Sequence, residues 1–200
     1  MKILLFDYDG TIVNSIAQVQ KGFNHASDKF GIKKRTKKQI GDLYLDNIFI
    51  SFAKLGVPKR MLKEFNSEMR GVYSTKQVKP FPKIKEVLIS LKKENKVIIL
   101  TSNFKKIVRK SLLINKIQVD SILGEEEGMS KVEKINKIKR KYPKNKIFYI
   151  GDTAGDMKES RKAGVKNVAV TWGFNDKKDL LATKPDYIIN KPTDLLEILG

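Results

Sequence analysis

Two hydrophobic patterns alternate along the chain. Uninterrupted apolar runs occupy Ile3–Phe6, Val97–Leu100, Ile147–Ile150 and Val168–Val170, all rich in branched or aromatic residues. Each has the length and character of a strand buried on both faces. Shorter runs at Ser121–Leu123 and Tyr187–Ile189 predict two further strands. Between the runs, apolar residues recur at helical spacing. Ile84, Val87, Leu88 and Leu91 follow i, i+3, i+4, i+7, and similar stripes are carried by Ile107, Val108 and Leu112 and by Val132, Ile135, Ile138 and Tyr142. Leu195, Leu196, Ile198 and Leu199 form a last apolar helix face. Strands that alternate with helices predict an α/β fold, a Rossmann-like parallel sheet flanked by helices.

One stretch interrupts this alternation. Ile16, Val19, Phe23, Ala26 and Phe30 stripe a first helix, with Asn14 or Ser15 as its cap and Gly31 at its end. Leu45, Ile48, Phe49, Phe52 and Leu55 mark a second, ending near Gly56; Met61, Leu62, Phe65, Met69 and Val72 mark a third. No strand pattern intervenes from Asn14 to about Gln77. Pro80 and Pro82 then punctuate Lys79–Pro82, which reads as a linker back to the sheet. The expected organisation is an α/β core of residues 1–13 and 81–200, with a small helical cap, residues 14–80, inserted after the first strand. An insertion there is placed to act as a lid over the strand tips.

The length of 200 residues suits one domain plus a modest insertion, and 40% hydrophobic residues can supply a core. The net charge of +19 is large for this size. It comes mostly from Lys scattered over the whole length, whereas Arg, the usual reader of bases and phosphate, is sparse. The charge therefore reads as a diffuse bias that attracts small anions, with no specific nucleic acid as partner. The densest early cluster, Lys33 to Lys38, reads as a solvated loop and helix start. Cysteine is absent, which excludes disulfides, thiolate catalysis and cysteine-based zinc sites. No apolar run approaches a membrane span and none has the form of a signal peptide, so the expectation is a cytoplasmic protein with no membrane partner. The single histidine, His25, reads as a surface or packing residue.

Candidate chemistry gathers at the strand ends, where open α/β sheets bind ligands. Asp7-Tyr8-Asp9-Gly10-Thr11 follows the first strand. One of two such carboxylates can attack phosphorus and carry the phosphoryl group; the other can protonate the leaving oxygen and then deprotonate water. An anionic nucleophile and an anionic phosphate repel each other, so this chemistry calls for Mg²⁺ and a cationic side chain. Thr101-Ser102-Asn103 ends the second strand before a helix and reads as a phosphate site or an ordinary helix cap. Asp152 and Asp156 end the fourth and can hold Mg²⁺, or can serve as a helix cap and a first-turn acid. Lys131 opens a helix, where the macrodipole disfavours a cation. Glu125 to Glu127 reads as exposed loop, and Trp172 as packing beside the site.

The sequence DYDGT, then LTSN, a later Lys and GDTAGD, in that order, resembles the four motifs of the haloacid dehalogenase superfamily. The helical insertion, Ile40-Gly41, the return Val78 to Pro82 and Val170 to Phe174 are similar to its phosphoglycolate phosphatase-like branch. The resemblance implies Asp7 as nucleophile and metal ligand, and Asp9 as general acid/base whose backbone carbonyl completes the metal site. It implies Thr101 and amides near Ser102 as phosphate binders, Lys131 as the neutralising cation, and Asp152 and Asp156 as Mg²⁺ ligands, Asp156 directly or through water. The implied function is a Mg²⁺-dependent phosphomonoester hydrolase that acts on a small phosphorylated metabolite through an aspartyl-phosphate. The alternatives are a beta-phosphoglucomutase-like sugar phosphomutase and a nucleic-acid-end phosphatase. Two positions depart from the branch pattern. Lys83 follows Pro82 where Gly is frequent, and Val132 follows Lys131 where Pro is frequent, which leaves Lys134, one turn on, as a second candidate cation.

Overall fold

Ile3–Phe6 has no exposed residue and forms the strand on which the rest is built. The computed structural model describes residues 1–200. In chain order the first elements are β1 (Ile3–Phe6), β2 (Val13–Asn14), α1 (Ile16–Phe30), α2 (Lys37–Leu43), α3 (Ile48–Lys54), α4 (Leu62–Gly71) and β3 (Lys79–Pro80). Next come α5 (Ile84–Leu91), β4 (Lys96–Leu100), α6 (Lys105–Ile114), β5 (Ser121–Leu123) and α7 (Lys131–Lys141). The chain ends with β6 (Ile147–Gly151), α8 (Ala154–Lys162), β7 (Lys166–Val170), α9 (Lys177–Ala182), β8 (Tyr187–Ile189) and α10 (Asp194–Leu199).

Six strands form one parallel sheet in the order β5-β4-β1-β6-β7-β8. Phe6 lies in register with Ile99 on one side and Ile150 on the other, so β1 stops one residue before β4 and β6. The chain builds β4 and β5 on one flank of β1 and then crosses to β6 on the other. That reversal opens a crevice at the C-terminal edge, the place where such sheets bind ligands. Side chains alternate along each strand. Leu4, Phe6, Val97, Ile99 and Ile150 face α5 and α10, while Ile3, Leu5, Ile98, Leu100 and Tyr149 face α7, α8 and α9. Both faces are covered, which is why the strands read as continuous apolar runs.

The helices α1 to α4 lie between β2 and β3 and share a core of their own aromatic rings. Phe52 and Phe65 have centroids 4.8 Å apart, and Phe23 meets Phe65 edge-on at 5.6 Å. Gly31 ends α1 in the left-handed conformation at φ 65°. Ser15 takes the N-cap position of α1, but its side chain caps nothing. Asn47 caps α3, accepting from the Phe49 amide at 3.0 Å, so that helix starts at Ile48 and leaves Leu45 outside. Two helices carry too short a stripe to be read from periodicity: α2, closed by a Thr36–Gln39 capping box, and α9.

Two expectations are corrected. Lys79–Pro82 is more than a linker: Val13 pairs with Pro80 and Asn14 with Lys79 in a small antiparallel ladder that ties the way into the insertion to the way out. A two-strand ladder has free edges, which is where proline is tolerated in a sheet. The acidic run is a 3-10 turn over Glu125–Glu127, and Glu125 in it is buried. Lys83, the departure from Gly, sits at φ 64°. No helix is long and apolar enough to cross a membrane.

Candidate active site

The Asp7 amide donates to the Ile150 carbonyl at 2.9 Å, carrying the β1–β6 ladder one residue past the strand. The chain then turns sharply at Gly10, with φ 84°. A Cβ there would stand 2.1 Å from Asp152 Oδ2, so glycine is required by conformation and by space. Asp152 is gripped from two sides: Thr11 Oγ1 donates to its Oδ1 at 2.8 Å and the Phe174 amide to its Oδ2 at 2.7 Å. Asp152 is not the cap of α8. Thr153 is, its Oγ1 accepting from the Asp156 amide at 3.1 Å, and Asp156 closes the capping box, its Oδ2 accepting from the Thr153 amide at 3.2 Å. The other oxygen of Asp156 accepts from Tyr149 Oη at 2.9 Å and from Lys131 Nζ. One residue thus serves both the helix and the site.

Carboxylate oxygens of Asp7, Asp152 and Asp156 lie within 4.8 Å of one another, and all three residues are buried. Burial pushes the Asp7 carboxyl up to about 7 against the pull of Lys131, with the charges of Asp156 and Asp9 adding to the rise. Asp152 is raised well above the usual carboxylate range, first by burial and then by Asp156 and Asp7. Three desolvated acids in one place favour a bound cation. Asp9 contributes no carboxylate to this cluster.

Both candidate lysines are buried and do different things. Lys131 Nζ lies 3.2 Å from Asp7 Oδ2 and also bonds Asp156. Burial opposes its charge, but Asp156 and Asp7 outweigh it and hold the ammonium well above its ordinary range. Lys134 Nζ bonds no carboxylate and donates to the carbonyls of Thr101 at 2.6 Å and Gly124 at 2.8 Å. Its pKa falls to about 8, chiefly through burial.

Thr101 is buried at the tip of β4, and its Oγ1 accepts from the Asn103 amide at 3.0 Å. Ser102 lines the same cavity, its carbonyl accepting from Asn66 Nδ2 at 3.3 Å. Asp9 is held by groups that periodicity did not single out. Tyr73 Oη donates to its Oδ1 at 2.8 Å and Asn103 Nδ2 to its Oδ2 at 3.2 Å, with Arg70 Nη1 3.7 Å from the same oxygen. Asn103 stood beside the Thr-Ser pair in the sequence. Tyr73 and Arg70 come from the end of α4 and carry no local signal. Trp172 packs as expected, against Phe81 at 6.3 Å, and donates its Nε1 to the Thr11 carbonyl at 3.1 Å. His25 is exposed, 3.9 Å from Glu68.

Asp7, Asp9, Thr101, Ser102, Lys131 and Asp156 share one cavity with Tyr44, Asn47 and Arg70 of the insertion. Its volume is about 20 Å³, room for little more than one water. The insertion is fastened down around it. The Gly155 amide donates to the Tyr44 carbonyl at 3.0 Å, and Asn47 Nδ2 donates to Glu159 at 3.1 Å.

The profile of the family described as haloacid dehalogenase-like hydrolase matches residues 4–170. A phosphoglycolate phosphatase of Synechococcus elongatus is 26% identical over 98% of this chain and 96% of its own length. A pyrophosphatase PpaX of Bacillus mycoides is 25% identical over 100% of this chain and 98% of its own. The solved structure of a haloacid dehalogenase-like hydrolase of Streptococcus pneumoniae matches with a TM-score of 0.82 at 27% identity, covering 100% of this chain and 99% of that one.

Proposed function

The chain belongs to the haloacid dehalogenase-like hydrolases, a family of enzymes, and on that footing we propose that it is a Mg²⁺-dependent phosphatase for small phosphorylated substrates, working through an aspartyl-phosphate on Asp7. The observation that carries the reading is the convergence of Asp7, Asp152 and Asp156, three buried carboxylates, beside Lys131 at the sheet's C-terminal edge. Phosphoglycolate and pyrophosphate, the substrates in the names of the two relatives, are the first candidates. The chemistry of the donor set fits a hard divalent cation: carboxylate oxygens only, desolvated and mutually repelling. Asp7, Asp152 and Asp156 would hold it, with the Asp9 carbonyl beside them. When bound, Mg²⁺ supplies neutralisation of charge on the phosphoryl oxygens.

In the first step an Asp7 oxygen attacks phosphorus, the bond from phosphorus to the leaving oxygen breaks, and Asp9 gives that oxygen a proton. Thr101 and the neighbouring amides hold the phosphoryl oxygens, and the Lys131 ammonium, between Asp7 and Asp156, neutralises negative charge there. In the second step Asp9 takes a proton from water, the water oxygen attacks phosphorus, and the bond to Asp7 breaks, releasing inorganic phosphate. Tyr73 and Asn103 keep Asp9 aimed at the leaving oxygen. Residues 14–80 act as a cap on a core of 1–13 and 81–200. Because the cavity between cap and core holds little more than a water, the cap must move to admit substrate, and the β2–β3 ladder is where it would swing.

The test measures phosphate release from phosphoglycolate, pyrophosphate, sugar phosphates and a 3′-phosphorylated oligonucleotide, with Mg²⁺ and with EDTA. Turnover should require Mg²⁺. Acetyl phosphate should leave a phosphoryl adduct on Asp7 by mass spectrometry in the Asp9→Asn variant and none in Asp7→Asn. Turnover in Asp9→Asn should fall by about 10²- to 10⁴-fold, the range for general acid/base help. Near-normal turnover in Asp7→Asn, or full activity in the chelated enzyme, would sink the reading.

A further inference from the structure

Only two cations line the catalytic cavity, and one of them is idle. Lys131 is engaged by Asp7 and Asp156. The Arg70 side chain is 2% exposed, yet its Nε and Nη1 are buried and donate to nothing. Its nearest charge is Asp9 Oδ2 at 3.7 Å, beyond hydrogen-bond reach, and that carboxylate already accepts from Tyr73 and Asn103. The guanidinium lies 5.8 Å from the centre of the Tyr73 ring, which supports its face. Tyr44, at the end of α2, brings a buried hydroxyl without a partner into the same cavity. The negative charge of Asp9 compensates the buried guanidinium electrostatically, but its N–H donors still lack acceptors, and a ligand with acceptor oxygens would take them up.

We propose that Arg70, with Tyr44, binds a second anionic group on the leaving part of the substrate, so that the enzyme prefers short phosphorylated compounds bearing a carboxylate or another phosphoryl group just beyond the bridging oxygen. The proposal rests on the phosphatase reading, in which Asp9 meets the leaving oxygen. Arg70 stands beside Asp9, on the leaving-group side, while Lys131 stands beside Asp7 on the nucleophile side. A group that reaches Arg70 therefore lies only a few bonds beyond the bond that breaks. A carboxylate and a phosphoryl group share the chemistry that a guanidinium fork recognises, two oxygens in one plane facing paired N–H donors. Because Arg70 belongs to α4 of the insertion and Asp9 to the turn that follows β1, a substrate with this second charge would also draw the two parts of the protein together.

The experiment compares kcat/KM within two pairs of substrates that differ in that charge: phosphoglycolate against its neutral amide, and pyrophosphate against acetyl phosphate. In the wild type the charged member of at least one pair should be preferred by tenfold or more. Preference in the first pair assigns a carboxylate and preference in the second a phosphoryl group. Arg70→Met should lower kcat/KM on the preferred charged member about 10- to 100-fold more than on its neutral counterpart, the range for losing a charge-assisted hydrogen bond. Arg70→Lys should restore part of the difference, and Tyr44→Phe should shift the ratio in the same direction as Arg70→Met by a smaller factor. If Arg70→Met does not fold, as judged by circular dichroism, the wild-type ratios and Tyr44→Phe decide. A wild type that cleaves the neutral members equally well, or an Arg70→Met loss equal on both members of a pair, overturns this proposal and leaves the phosphatase reading intact. A wild type that releases phosphate from none of the four, but does so from a sugar phosphate or the oligonucleotide, overturns this proposal alone; one that releases phosphate from no compound of either set overturns both.

Discussion

Lys131 and Lys134 are one helical turn apart and both are buried, yet the surroundings give them opposite tasks. Lys131 faces two carboxylates and is held charged, while Lys134 faces two carbonyls and is pushed toward neutrality by burial. Substitution by Met keeps most of the length and separates the tasks. Lys131→Met leaves Asp7 and Asp156 repelling each other without their cation. We expect kcat to fall by about 10²- to 10³-fold, as when a key electrostatic partner of a reacting group is lost, and the Asp7 adduct with acetyl phosphate to disappear. Lys134→Met leaves the Thr101 and Gly124 carbonyls without their donor. It should cost stability, on the order of 1–3 kcal/mol for a buried group left unsatisfied, while the adduct still forms. That cost also depends on pH in a definite sense. The folded pKa of Lys134, about 8, lies below the unfolded value of about 10.4. Between those limits the unfolded chain holds a proton that the folded one has released, so wild-type stability should rise with pH relative to Lys134→Met. Urea unfolding of both proteins at pH 7 and pH 9.5 checks this; loss of the adduct in Lys134→Met, with Lys131→Met retaining it, would reverse the assignment.

At the scale of elements, the strands and the acids at their tips were legible because both are local. A run such as Ile147–Ile150 announces a buried strand, and an Asp or Thr just past it sits at the edge where ligands bind. The group of helices between β2 and β3 was legible by the same logic, as a stretch in which the short apolar runs stop. What was not legible depends on how the end of α4 comes to lie beside the turn after β1. Tyr73 and Arg70 reach Asp9 across more than sixty residues of chain, and neither has a neighbour in sequence that points to it. The β2–β3 ladder was hidden because two residues give no periodicity. Lys83 was visible as a departure from a pattern, and the structure supplies its meaning. Its φ of 64° is left-handed backbone at the start of α5, a conformation that costs a non-glycine residue about 1–2 kcal/mol. Its side chain is exposed and gains only a loose ion pair with Glu86 at 3.9 Å. Glycine removes the strain but adds freedom to the unfolded chain, worth about 0.4–1 kcal/mol in the other direction. Lys83→Gly should therefore stabilise by about 0.5–1 kcal/mol, a rise in Tm of about 1–4 °C for a chain of this length. Lys83→Ala should not exceed the wild type, because it keeps the Cβ. A Tm for Lys83→Gly below that of Lys83→Ala would show that the left-handed residue is not strained.

At the scale of the whole molecule, the charge of +19 acts in two opposite ways. The lysines repel one another and oppose the compact state, while the same field draws anions toward the protein. The surface ion pairs do little to cancel it: Lys34 with Asp28 and Lys38 with Asp176 are well exposed on both sides, and such pairs contribute at most about 1 kcal/mol each. Salt discriminates between the two consequences, because it shortens the Debye length from about 30 Å at 0.01 M to about 8 Å at 0.15 M. Over that interval the Tm should rise as the self-repulsion is screened. Over the same interval kcat/KM for an anionic substrate should fall several-fold with kcat little changed, because screening weakens capture and reaches the buried acid cluster far less. Binding to duplex DNA should fall steeply and show no preference among sequences, since lysines spread through every segment neutralise phosphates without reading bases. Thermal unfolding, steady-state kinetics and a fluorescence titration with two unrelated duplexes, each at the two salt concentrations, measure the three trends. Tight binding to one of the duplexes at 0.15 M, or a kcat/KM indifferent to salt, would show that the charge is organised for a partner instead of spread as a field.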